Sequence, residues 1–114
     1  MSQYYDLSRI VQLEDVMGAE AGAIVASTLT SMTGAMEEIE VALADGEFER
    51  ATRAAHSARN DALTVGARQL LEALTELEAA TRRCDAAGAS GALERVHAVW
   101  PPTRDALATS ADFP

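Results

Sequence analysis

The chain holds two histidines and one cysteine, and His56 has the neighbours best suited to chemistry. Thr52, Arg59, Asn60 and Leu63 stand four residues before it and three, four and seven after it. On a helix these positions share one face. Ala55 and Ala58 belong to an apolar stripe, so His56 lies on the edge of that stripe and points outward. An exposed imidazole then has a guanidinium one turn away. Such a pair suits phosphoryl carriage, which needs positioning and charge stabilisation more than covalent work from the protein. A neutral imidazole nitrogen can attack phosphorus, and a guanidinium can hold the oxygens. Exposed histidine–arginine pairs also occur with no role at all.

The other reactive side chains offer less. His97 sits between Val96 and Trp100 and reads as a boundary histidine beside the indole. Glu94 to His97 is a single Glu-x-x-His without a counterpart, whereas di-metal bundles need such pairs on facing helices. No metal site is expected. Glu37, Glu38 and Glu40, and likewise Glu72, Glu76 and Glu78, are expected to form solvated acidic faces. Cys84 has no disulfide partner and no zinc-ligand companions, and is expected to be a small residue on a helix. No glycine-rich phosphate cradle follows a strand, so no nucleotide site or cofactor is expected.

These residues must be positioned by helices. High-β-propensity residues are scattered and never alternate over a strand length. Asp6 or Ser8 is expected to cap a short first helix that ends at Met17, before Gly18. A long helix follows, from about Glu20 to Ala44. In it Val25, Leu29, Met32, Met36, Ile39 and Leu43 recur at spacings of four and three. Asp45-Gly46 marks a turn. The His56 helix spans about Glu47 to Ala62, with Gly66 as a break. The next runs from about Ala67 to Ala86, lined by Leu70, Leu74, Leu77 and Cys84. A loop is expected over Ala87 to Gly91, then a last helix from near Ser90. Pro101 and Pro102 lack the amide donor and restrain the residue before them, so a kink or break is expected at Trp100. A helical turn through Leu107 and a frayed tail from Thr109 complete the chain. The expectation is an all-α protein: an antiparallel up-down four-helix bundle with a short extra N-terminal helix. It forms a single domain over residues 1–114, with its core at about 6–107.

Composition is consistent with this and excludes several functions. The chain has 114 residues, 48% of them hydrophobic but only 4% aromatic, which suits an aliphatic, alanine-rich core. Its formal net charge is −9, with arginine supplying every basic residue. An acidic chain without a basic stripe repels nucleic acid and anionic lipid. No basic n-region precedes an apolar run, and no apolar run approaches the length of a membrane span. A cytoplasmic location follows.

Beyond these readings, the segment from Ala54 to Glu78 resembles the signature of histidine-containing phosphotransfer (HPt) domains. His56 matches the phosphoacceptor, and Arg59 the basic position three residues on. Gly66-Ala67 matches the Gly-Ala pair, and Leu70, Leu74, Leu77 and Glu78 match the helix after it. Leu7 to Ile10 resembles the family's opening helix, and Ala42 to Gly46 the turn before the acceptor helix. The similarity covers roughly residues 6–107. Two positions depart from the pattern. Asn60 stands where glycine is usual, and Ala58 where leucine is common. Asn60 would partly fill the space over the imidazole, or donate a hydrogen bond to a phosphoryl oxygen.

The resemblance implies a phosphorelay intermediate, not an enzyme, that passes a phosphoryl group on His56 between receiver-domain aspartates. Arg59 would balance phosphoryl charge, and Thr52, Asn60 and Leu63 would touch the partner. The partners would be response-regulator receiver domains, or a hybrid sensor kinase, and the protein a monomer. The alternative is a degenerate HPt module that binds a receiver or kinase without carrying phosphate. An open imidazole beside Arg59 favours relay; an imidazole buried or lidded by Asn60 favours binding alone.

Overall fold

The computed structural model describes residues 21–111; residues 1–20 and 112–114 fall outside the described residues. The short helix expected up to Met17 therefore also falls outside them. Four helices follow one another: α1 (Ala21–Ala44), α2 (Phe48–Val65), α3 (Arg68–Arg82) and α4 (Ala86–Ala111). Each packs on the next and α4 closes against α1, which makes the expected antiparallel up-down bundle.

The apolar stripes face inward. Val25, Met32, Met36 and Ile39 of α1 are buried, with Leu29 and Leu43 half-buried at the edges. Leu70, Leu74 and Leu77 fill the centre from α3. Each buried leucine side chain contributes about 2 kcal/mol of transfer free energy. The inner face of α2 is different. Ala51, Ala54, Ala55, Ala58 and Ala62, with Val65, are its buried residues. Bulk comes from the neighbouring helices, and the small α2 face allows close packing against them.

Glycines close the turns on either side of α2. Gly66 caps α2 with φ 70° and ψ 30°. There the Ala67 N–H donates to the Ala62 carbonyl at 2.8 Å. Gly46 adopts the same φ of 70° after α1. Both positions need the left-handed conformation that glycine reaches without a Cβ penalty.

Three expectations about the second half of the chain need correction. First, α3 ends at Arg82, not Ala86. Cys84 does not line that helix: it is exposed and sits in the turn with φ 53°. Second, the stretch Ala87 to Gly91 is helical, because α4 begins at Ala86. Asp85 starts it, accepting the Gly88 N–H on Oδ1 at 2.9 Å, a side-chain cap for an otherwise orphan amide. Ala89 and Ala92 then continue the buried stripe to Val96 and Trp100.

Third, Pro101 and Pro102 lie inside α4, which runs unbroken to Ala111. Trp100, Thr103 and Leu107 share one helix face and are all buried, so core packing continues through the proline pair. The prolines themselves are half-buried on its flank. Packing offsets the two backbone hydrogen bonds that their missing N–H groups forfeit. Thr103 returns its hydroxyl to the Val99 carbonyl at 2.7 Å.

Candidate functional site

The site forms where α2 and α3 run antiparallel. With Ala55 and Ala58 fully buried, His56 is turned outward along the α2–α3 seam, its side chain 46% exposed. Two contacts cross this seam about one helical turn apart. The Thr52 hydroxyl meets that of Thr81 at 2.7 Å, and His56 Nδ1 meets the Glu78 carboxylate. Thr81 donates in turn to the Glu78 carbonyl at 3.0 Å. The register of the two helices thus puts Glu78 beside the His56 ring.

Glu78 is the acid expected on a solvated face, and the structure corrects that reading: its side chain is only 6% exposed. Its companions Glu72 and Glu76 are exposed as expected. Glu78 follows Leu70 and Leu74 at intervals of four, on the inward row of α3, and that spacing was the available signal. A buried carboxylate needs partners, and this one has three. His56 Nδ1 lies 3.3 Å from Oε1 and 3.2 Å from Oε2. Arg59 Nε lies 3.3 Å from Oε1. Arg82 Nη2 lies 2.6 Å from Oε2. Arg82, one turn along α3 from Glu78, was not among the site residues expected from the sequence.

The geometry selects a tautomer for the histidine. Arg59 Nη2 also approaches His56 Nδ1, at 3.3 Å. A guanidinium only donates and a carboxylate only accepts. Nδ1 can therefore donate to Glu78 or accept from Arg59, but not both. Two carboxylate oxygens face this nitrogen, and a lone pair directed at them would be repelled. The Nδ1–H form is favoured, with Arg59 satisfied by Glu78 instead. The lone pair then resides on Nε2, on the other edge of the half-exposed ring, where an incoming electrophile would find it.

The remaining site candidates share α2 with His56. Asn60 is exposed. Leu63 is 59% exposed, one of two large apolar side chains open in this way among the described residues. Thr52 is half-buried, near the Phe48 carbonyl at 2.8 Å as well as Thr81. His97 lies elsewhere, on α4, with Nε2 2.6 Å from Glu40 of α1. Among the described residues no three His, Cys, Asp or Glu side chains come together as metal ligands, and no helix is long and apolar enough to cross a membrane.

No protein-family model matches the chain, and no curated protein sequence does. The fold is similar to the crystal structure of histidine-containing phosphotransfer protein B from Pseudomonas aeruginosa. The TM-score is 0.90 at 20% sequence identity, over 97% of this chain and 96% of that one. The four-helix bundle described above is thus the HPt fold.

Proposed function

We propose that this protein is a phosphorelay carrier that holds a phosphoryl group on His56. One observation carries the reading: a half-exposed imidazole whose Nδ1 faces a buried carboxylate, with Arg59 alongside. A histidine built only for packing would have no use for a buried anion beside an open ring.

In this reading the donor is an aspartyl phosphate on a receiver domain. The Nε2 lone pair attacks phosphorus, the bond from phosphorus to the aspartyl oxygen breaks, and its electron pair leaves with the carboxylate. The imidazole then carries phosphorus on Nε2 and a proton on Nδ1, and is cationic. Glu78 stabilises that developing charge, as oriented groups do when charge appears in a transition state. Arg59 balances the phosphoryl oxygens. A second receiver's aspartate reverses the step. The receiver brings its own magnesium, so this chain supplies positioning and charge without a cofactor and acts as a carrier, not an enzyme.

Asn60, Leu63 and Thr52 are assigned to the partner face. Leu63 offers the apolar contact and Asn60 a polar one next to the imidazole. The same reading makes the protein a cytoplasmic monomer that works between receivers, or between a hybrid sensor kinase and a receiver. A binding module without phosphate chemistry would gain nothing from an open ring, and His56 is open.

The test is incubation with a panel of phosphorylated receiver domains, followed by assay of acid-labile, base-stable label. His56→Gln should abolish the label with helicity unchanged, and His97→Gln should retain it. Label that survives in His56→Gln but disappears in His97→Gln would overturn the assignment.

A further inference from the structure

Glu78 is shared unequally between two arginines, and the inequality suggests a division of labour. Arg82 approaches Oε2 at 2.6 Å, whereas Arg59 stands 3.3 Å from Oε1. Coulomb attraction grows as separation falls, so the short contact is the stronger ion pair. Arg82 comes from the same helix as Glu78, four residues on, and its side chain is 63% exposed. Arg59 comes from α2 and also reaches the His56 ring.

We infer that Arg82 is a positioning residue for phosphoryl transfer: it neutralises Glu78 so that Arg59 is free to turn to the phosphoryl group. The inference rests on the carrier role of His56. Consider the loaded site. The carboxylate is negative, the phosphoryl group is doubly negative, and the phosphoimidazole ring with its Nδ1 proton is positive. Arg59 and Arg82 together bring the sum to neutrality. Without Arg82, the one remaining guanidinium would face both the buried carboxylate and the phosphoryl group. It would be held by Glu78, since the buried carboxylate would otherwise keep only its contact with His56 Nδ1. The incoming phosphoryl charge would then go unbalanced.

Arg82 need not touch the phosphoryl group to do this. Its effect passes through Glu78 and reaches Arg59 as a freedom to move. Arg82 is itself 63% exposed, and its removal leaves the buried carboxylate two further partners, Arg59 and His56, so its loss costs folding little and the residue's value lies in the site.

The test uses the full chain and phosphoramidate, a small donor that removes partner docking from the measurement. His56 Nε2 attacks phosphorus, the P–N bond breaks and ammonia leaves. Arg82→Gln should slow labelling of His56 by roughly tenfold, as expected for loss of one charge-stabilising contact, while its melting curve stays close to that of the parent. Arg82→Lys should recover much of the rate. Arg83→Gln, which alters the neighbouring cation paired with Asp85, should label normally.

A spectroscopic arm needs no phosphate. In ¹⁵N NMR of the free protein, the Arg59 Nε–H signal should shift and exchange more slowly in Arg82→Gln, because Arg59 becomes the sole guanidinium on Glu78. An unmoved Arg59 signal, or labelling of Arg82→Gln at the parent rate while His56→Gln takes none, overturns this inference alone. Parent protein that takes no label from any donor overturns the carrier reading and this inference with it.

Discussion

The Thr52 and Thr81 hydroxyls meet 2.7 Å apart across the α2–α3 seam, one turn from the contact between His56 and Glu78. Thr81 is 1% exposed, so its hydroxyl depends on protein partners. The pair fixes how the two helices slide past each other, and so where Glu78 falls beneath the ring. Neither single change orphans a group completely. Thr52 falls back on the Phe48 carbonyl at 2.8 Å, and Thr81 keeps its bond to the Glu78 carbonyl at 3.0 Å. Thr52→Val and Thr81→Val are each expected to cost about 1 kcal/mol. A double-mutant cycle in urea should show a coupling of about 0.5 kcal/mol or more, as for residues in contact. Strict additivity would remove the register role.

Glu78→Gln tests the buried carboxylate itself. Glutamine keeps the shape and an acceptor oxygen but loses the charge. Nδ1–H is then no longer enforced, and the imidazolium formed on transfer has no counter-charge. Transfer into His56 should fall by roughly tenfold to a hundredfold, in the range for losing one electrostatic partner of a reacting group. Folding should suffer far less. Arg59 and Arg82 are 34% and 63% exposed and can be solvated, so a loss of about 1 kcal/mol is expected. Parallel measurement of transfer rate and urea midpoint separates the two effects.

The sequence revealed the site's outer half and concealed its inner half. Ala55 and Ala58 set a stripe, and that stripe forced His56 outward and Arg59 beside it. Glu78 carries the same kind of side chain as Glu72 and Glu76. Only its place on the row of Leu70 and Leu74 tells it apart, and charge type outweighed position. The turns around α2 were legible because Asp45-Gly46 and Gly66 are glycine turns with a fixed backbone requirement. The turn after α3 was not, because a cysteine occupies its left-handed position and Asp85 caps α4 within a small-residue run that reads as loop. Pro101 and Pro102 misled for a different reason. Local rules give the cost of a proline in a helix, and only the packing of Trp100, Thr103 and Leu107 shows that the cost is met.

Cys84 offers a stabilising change. It adopts φ 53°, where every residue with a Cβ is strained and glycine is not. The Asp85 N–H closes the turn onto the Ala80 carbonyl at 2.9 Å. The thiol is exposed, so little packing is lost with it. Cys84→Gly should raise stability by about 1 kcal/mol, the usual gain for glycine at a left-handed helix end. A lower urea midpoint would show that the cysteine side chain holds the turn.

Stability should also respond to acid at the α1–α2 end. Arg50 bonds Glu38 in two places, and this hydrogen bonding holds the Glu38 carboxyl below its ordinary value of 4.5. The folded protein therefore binds that proton less readily than the unfolded chain. The contribution is complete above the unfolded value and disappears as pH falls through the lower folded value. Arg50→Gln should melt below the parent at pH 7, and the difference should narrow as pH drops below about 4. A gap that stays constant from pH 7 to pH 3 would assign the arginine's effect to packing.

Asn60→Gly tests how a partner reaches the imidazole. It lies one turn beyond His56 on the same exposed face of α2, and side chains four apart on a helix are stacked neighbours. Its own carbonyl receives the Thr64 hydroxyl at 3.0 Å, an exposed bond that a glycine backbone would keep. Asn60→Gly removes a side chain beside the ring and costs the helix about 0.5 kcal/mol. If the asparagine only occupies space, stability should fall slightly while transfer from a receiver phosphate accelerates. If its amide donates to a phosphoryl oxygen, both should fall together. We expect the first result, because in the carrier reading Arg59 already stands beside the ring to meet the phosphoryl charge. Single-turnover rates for the two proteins, with phosphoramidate as a donor too small to be obstructed, separate access from chemistry. A glycine variant faster with receivers but unchanged with phosphoramidate identifies Asn60 as an obstruction to docking. A variant slower with both makes asparagine part of the phosphoryl site.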